Sequence, residues 1–372
     1  SQNQFLGLLN IFSGGGLSNL SIVLLGVGPY ITASIIMQLM TIIFPALKAM
    51  YQEEGEAGRV KFAQYSRLLT LPLAALQGVA FLVLLTRQGI VPALPPFEFA
   101  INVLIAVAGS LLLMWLGELV SEFGIGQGIS LLIFAGIVAG LPAAISQVAF
   151  TFETAQIPLY VAFVAATLAI IAGVVVVTEA ERPIPVTYAK RVRGIRVMGG
   201  GSTYLPLRLN QAGVIPIIFA LSILLLPQMI FGLLASSSKT SLVQFASDAV
   251  TWLNDPWVYG GSYFILVFLF TYFYTAVTFD PNQIAENLQR NGAFIPGIRP
   301  GQSTAEHLAK VITRITLPGA LFLGIIAVLP IVMQGLTGIK TLAIGGTALL
   351  IVVSVVLDLV RRVDAQLAIR EY

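Results

Sequence analysis

Few residues in this 372-residue chain could make or break bonds, and they do not gather. There is no cysteine, which removes disulfides, thiolate nucleophiles and cysteine-rich metal sites. The single histidine, His307, lies in "STAEHLAK", which reads as the first turns of a polar helix. A metal site needs several converging ligands, and none accompanies it. No P-loop and no convincing nucleophile with a base is present, so neither an ATPase nor a membrane-embedded protease is supported. One stretch does have a chemical character: "NGAFIPGIRPGQS", residues 291–303, frames Arg299 with prolines and glycines. Pro-Gly pairs make tight turns, and a stiff turn presents a guanidinium with little entropy loss on docking. Such a group suits phosphate contacts. An arginine that only fixes membrane topology would account for the same residue.

The elements that position Arg299 are apolar to an unusual degree. Hydrophobic residues make up 57% and charged residues 10%, with a mean hydropathy of +0.91. A soluble chain of average composition is about a quarter charged, so this is an integral membrane protein. A membrane-crossing helix needs about 20 apolar residues. Charge-free runs suggest spans near 22–45, 66–86, 99–117, 128–150, 157–178, 211–235, 257–279, 315–334 and 341–360, the last being the shortest. No secretory signal pattern opens the chain, and it begins "SQNQFLGLLN" without methionine, which is expected of a piece of a longer protein.

Nine spans put the ends on opposite sides, and the basic residues choose between them. Residues 48–67, 182–208, 290–314 and 361–370 hold 17 of the 20 lysines and arginines. Arg87, Lys239 and Lys340 fall on the other side. The Arg299 loop and the C-terminus are therefore expected in the cytoplasm, with residues 1–20 outside. Glu118, Glu179, Asp280 and Asp358 lie at or near the cytoplasmic ends of spans, leaving no charge at mid-span. Intramembrane carboxylates and histidines mark ion-coupled transport, so their absence counts against a pump or symporter.

Glycine and proline interrupt the pattern twice in the same way. "GVGPYI" (26–31) and "GVIPII" (213–218) should each break or bend a helix. A second echo joins "GISLLI" (128–133) to "GTALLI" (346–351). The pairs would link corresponding members of two five-helix halves of opposite orientation, if one helix precedes residue 1. Chance in a leucine-rich sequence is the alternative. The start "NIFSGGGLSNLS" (10–21) is uncharged and small. It suits either an element folded into a protein-lined cavity or a mobile loop.

The ordered motifs resemble one family, SecY, the central subunit of the bacterial and plastid protein-translocation channel. The resemblance is carried by "NIFSGGGLS", "GVGPYITASIIMQL", "EEGEAGR", "MWLGE", "GIGQGISLLIFAGIVAGLP", "YAKR", "NQAGVIPIIFA", "FYTAV" and "GAFIPGIRPG". It implies an all-α polytopic membrane protein with nine of ten helices present, in two inverted five-helix halves. The halves would be 1–150 and 151–372, the latter with cytoplasmic loops 179–210 and 280–314. The resemblance also implies a pore ring of Val27, Ile31, Ile129, Ile133, Ile218 and Ile351. Aliphatic side chains can close around any passing chain and resist ions by dewetting when empty. Val27 stands where the family often has isoleucine. Asn10, Phe12, Ser13, Gly14, Gly15, Gly16, Leu17 and Ser18 match the plug that closes the channel from outside. Helices 27–45 and 211–235 match the lateral gate, with Gln77 and Asn210 at its polar positions. Lys190, Arg191, Arg196 and Arg299 match the surface that docks the SecA motor or the ribosome. Pro183 departs from the family, where a second basic residue is common, and this weakens contact at that end.

The implied partners are the small subunits SecE and SecG, SecA or the ribosome, preprotein chains with their signal sequences, and lipid. No cofactor, no metal and no enzymatic activity is implied. The alternative is an inverted-repeat secondary transporter of a small solute, which would need a polar site at mid-membrane. The sequence offers only scattered Thr, Ser, Gln and Asn there.

Overall fold

The computed structural model describes residues 21–370, apart from 53, 88–90, 93, 151–156, 189–190, 194–195, 199–200, 212, 235–239, 254 and 338–339. In chain order the helices of the first part are α1 (Gly28–Ile43), α2 (Pro45–Gln52), α3 (Gly55–Arg87), α4 (Pro96–Phe123), α5 (Gly128–Phe150) and α6 (Ile157–Glu179). Strands β1 (Glu181–Tyr188), β2 (Arg191–Arg193), β3 (Arg196–Met198) and β4 (Ser202–Arg208) follow. Then come α7 (Ile215–Leu234), α8 (Thr240–Leu253), α9 (Pro256–Thr278), α10 (Pro281–Arg290), β5 (Ala293–Phe294), α11 (Gln302–Thr337) and α12 (Lys340–Arg370).

Every apolar run read from the sequence falls on a helix. Among the described residues, α3, α4, the α9–α10 run and α11 are long and apolar enough to cross a membrane. The α1–α2 pair, bent by 115° at Phe44, would make a fifth. α5, α6 and α7 carry shorter apolar stretches. The outer surface stays apolar, with Leu104, Leu168, Trp115 and Ile265 all exposed. In water such a face would be costly; against lipid tails it is at home.

Two bodies share the chain. In the first, α1 packs on α3, α4 and α7; α3 packs on α4 and α7; α9 lies between α7 and α11; and α12 contacts α5, α6 and α11. Their buried side chains form one continuous apolar cluster from Leu24 to Val355. The second body is smaller, with a core of its own that includes Ile184, Val186, Leu207, Ile295, Leu308 and Ile312. At 36 residues, α11 is about 54 Å long, well beyond a ~30 Å hydrocarbon core, so it belongs to both bodies.

The architecture is mostly helical, as expected, and the smaller body adds strands to it. β1 pairs antiparallel with β4 along its length and with β5 at Thr187–Phe294 and Tyr188–Ala293, giving the order β4-β1-β5. β2 and β3 form a separate hairpin ribbon. The cause is a period of two: Ile184 and Val186 point inward while Arg182, Pro183 and Pro185 stay exposed. The Tyr188 amide donates to the Gly201 carbonyl, so amides of the same parity face β4. Pro183 and Pro185 occupy the other parity, where proline removes no bond of that ladder.

A second expectation also changes. "GVGPYI" and "GVIPII" do not break helices; they start them. Pro29 and Pro216 stand in the first turns of α1 and α7, where a missing amide costs nothing. The other echo is uneven, since Gly128 opens α5 whereas "GTALLI" lies inside α12.

Candidate pore, gate and docking surface

The two helix starts are built alike. Gly26 and Gly213 have φ of 58° and 62°, a conformation that a Cβ would strain. Each glycine is followed by a valine whose carbonyl accepts the opening helical bonds: Ile31 to Val27 at 3.1 Å and Ile218 to Val214 at 3.3 Å. Val27 and Ile31 thus sit at the first turn of α1, and Ile218 at the first turn of α7. Ile133 lies in the second turn of α5, and Ile351 about a third of the way along α12. The five are buried, and the structure brings them into the same apolar cluster. Ile129 packs against the cluster but remains half-buried, with its Cδ1 against Gly117 of α4. Among the described residues the buried polar side chains are Thr, Ser, Gln and Asn, with the hydroxyls of Tyr259 and Tyr263, and none is charged.

Gln77 and Asn210 are both buried but do not meet. The Gln77 amide of α3 donates to Thr32 Oγ1 of α1 at 3.5 Å, and Thr32 in turn donates to the Gly28 carbonyl at 3.0 Å. Asn210 precedes α7, and its Nδ2 donates to the Gly213 carbonyl at 3.1 Å. Its Oδ1 is buried without a partner. α7 packs on both α1 and α3. The plug residues Asn10 to Ser18 lie outside the described residues, as does Lys190.

Arg299 is exposed, as expected, in a turn bounded by Gly297 and Gly301, whose φ are 83° and 97°. Thr304 Oγ1 donates to the Arg299 carbonyl at 2.8 Å, and the Ile298 amide donates to Ile295 at 3.0 Å. The turn is therefore fixed at both sides. Arg191 and Arg196 lie on the backbone of the β2–β3 ribbon, where Arg191 pairs with Met198 and Arg196 with Arg193. Because β5 is hydrogen-bonded to β1, the two loops that the sequence separates by about a hundred residues form one body.

Some contributors were not visible in the sequence. Arg361 of α12 donates to Glu179 at 3.0 Å and to the Thr178 carbonyl at 2.8 Å, tying α12 to the C-terminal end of α6. Cations suit that end of a helix. Arg67 similarly joins Glu118, linking α3 to α4 at 2.6 Å. A cleft of about 230 Å³ opens beside these helix ends, lined by Asn210, Tyr274, Ser354, Asp358 and Arg361 among others. Only the charges at span ends hinted at this layer.

The family model described as SecY matches residues 21–360. The protein translocase subunit SecY of Mycobacterium bovis is 45% identical over 383 residues, covering 99% of this chain and 86% of that protein. The chain belongs to the SecY family. The SecY of Thermus thermophilus is 44% identical, with 100% of this chain and 85% of the relative covered. In solved structures, "The structure of a protein conducting channel" aligns with a TM-score of 0.65 at 21% identity, over 95% of this chain and 83% of that one. Sec61 from the canine ribosome-channel complex aligns at 0.58 and 21% identity, over 92% and 80%. These structural relatives share the fold. As a SecY-family chain with several long apolar helices, the protein is a multi-pass integral membrane protein. Neither the relatives nor the buried residues support the small-solute transporter.

Proposed function

We propose that this chain is the conduit of a protein-translocation channel, passing secretory chains across the membrane and releasing apolar segments sideways into lipid. The observation that carries the reading is the convergence of Val27, Ile31, Ile133, Ile218 and Ile351, from four helices, in one apolar cluster with no buried charge among the described residues. With Ile129 they form the constriction. Its seal is dry when idle and indifferent to the side chains that pass. Gln77 and Asn210 are the polar positions of the gate between α1–α3 and α7. Residues 10–18 are the plug, and a solved relative is titled for a plug domain that stabilises the closed state.

The halves are 1–150 and 151–372, each with five membrane spans if one more span precedes residue 1. The smaller body, with Arg299, the β2–β3 ribbon and Lys190, is cytoplasmic and so is the C-terminus, as the distribution of basic residues favours. The membrane is a bacterial inner membrane or a thylakoid. Two solved relatives are channels bound to ribosomes, which supports a ribosome or a SecA-type motor as the docked partner, beside SecE and SecG. The chain catalyses no reaction itself, and the driving energy comes from that partner.

The test is translocation by the full-length protein, reconstituted with its small subunits. Preprotein should enter vesicles only when the motor or ribosome is supplied. Arg299→Glu should weaken partner binding while the membrane core stays intact. If Arg299 meets a ribosomal phosphate, the slope of log affinity against log salt should flatten by about one. Unchanged affinity and slope would remove Arg299 from the docking surface.

A further inference from the structure

The starts of α1 and α7 share a second feature that their sequences do not show. Gly109 of α4 is packed against the Ile22 carbonyl so closely that any Cβ there would collide with it. Gly319 of α11 is packed against the Leu209 carbonyl, where a Cβ would come within 2.6 Å. Ile22 lies four residues before Gly26, and Leu209 lies four before Gly213. Each left-handed glycine also has its carbonyl held by a buried side chain: Gly26 by Ser110 Oγ at 2.9 Å, and Gly213 by Asn210 Nδ2 at 3.1 Å. Counting spans in the two halves, α4 and α11 are corresponding members. The same device occurs twice.

We infer that Gly109 and Gly319 are matched seats, positioning residues that set where α1 and α7 begin and so where Val27, Ile31 and Ile218 stand; this rests on the pore reading above. A seat made of backbone against backbone tolerates no added atom, because neither side has a rotamer with which to yield. The first helical turn follows directly from the seated turn, so a displacement there is carried to the apolar side chains within a few residues. The seat in the second half has an extra connection. Leu209 directly follows β4 of the docking sheet, and its amide donates to the Ala180 carbonyl at 2.8 Å. The Gly319 seat is thus the joint between the docking body and α7, and the Gly109 seat has no such tie among the described residues.

The test uses the full-length channel with its small subunits in vesicles, in an otherwise cysteine-free background. Gly109→Ala and Gly319→Ala are compared with Gly261→Ala, where a Cβ meets nothing within 4 Å. Two readouts are taken: maleimide labelling of Leu24→Cys or Ile217→Cys, both buried, and ion leak through the idle channel. Each seat variant should raise labelling of the probe in its own half several-fold and raise the leak, with Gly261→Ala unchanged. Ile351→Gly should raise the leak without exposing Ile217→Cys. Labelling equal to the Gly261→Ala control in both seat variants overturns the inference. So does a leak that rises in Ile351→Gly but in neither seat variant. If labelling rises while no variant leaks, the seats stand and the pore assignment fails. Should an alanine variant not assemble, Ser110→Ala and Asn210→Ala release the same turns without adding bulk and are judged by the same readouts.

Discussion

The membrane body and the smaller, sheet-containing body are held together by different physics, although α11 runs through both. In the smaller body Leu308, Val311 and Ile312 cover Ile184, Val186 and Leu207, with exposed arginines and prolines on the opposite side. That is an ordinary hydrophobic core, stabilised by removing apolar surface from water. In the larger body Ile217 is as fully buried as Leu308, yet Leu168 and Val176 on the outside are no less apolar. Lipid offers nearly the same environment as the interior, so packing, hydrogen bonds and backbone approach must decide the arrangement. At Gly109, Gly128 and Gly319 one backbone is packed directly against another. A body stabilised in this way can part along a seam without exposing surface to water, as a sideways-opening channel requires.

This contrast can be broken by experiment. Leu308→Ala should cost about 2–5 kcal/mol, since it loses the transfer term and leaves a cavity. Hydrogen exchange across 181–208 and 293–312 should accelerate while the membrane helices stay protected. Ile217→Ala should cost less than Leu308→Ala, because the transfer term of about 0.8 kcal/mol per methylene is absent when the alternative is lipid. Equal losses in detergent-free unfolding would erase the distinction between the two bodies. Arg361→Ala should cost about 1–2 kcal/mol, as its side chain is 23% exposed and its partner Glu179 is half exposed. The expected sign is faster exchange at the ends of α6 and α12 alone. Gln77→Leu should have the smallest effect, about 0.6–1.7 kcal/mol, because it removes one long interhelical bond. Its readout is the passage of preproteins with weakened signal sequences, which should improve; no change would place Gln77 outside the gate.

The membrane helices were legible because hydrocarbon thickness acts directly on composition. Even His307 falls where its polar neighbours put it, exposed in the first turns of α11. The β-sheet was not legible. Ile184 alternating with Pro183 and Pro185, and Leu205 and Leu207 around Pro206, do carry a period of two, but two short runs do not stand out in a chain that is 57% hydrophobic. The prolines read as helix breakers were misjudged for a local reason: the effect of proline reverses between the interior and the first turn of a helix. The proposed pore and docking residues came from resemblance, since an isoleucine facing a pore and one facing lipid look the same in one sequence. The seats at Gly109 and Gly319 lie deeper still, because a glycine within an apolar run gives no sign of which backbone it meets.

Ile133 offers the most direct measurement, being buried in the apolar cluster one turn beyond Ile129. A single cysteine at Ile133 in the full-length complex would be oxidised against a secretory chain stalled midway and carrying one cysteine of its own. A disulfide whose yield moves with the position of the cysteine along the stalled chain places Ile133 on the conduit. No disulfide at Ile133, with an equal or better yield at lipid-facing Val176, would contradict the aliphatic pore.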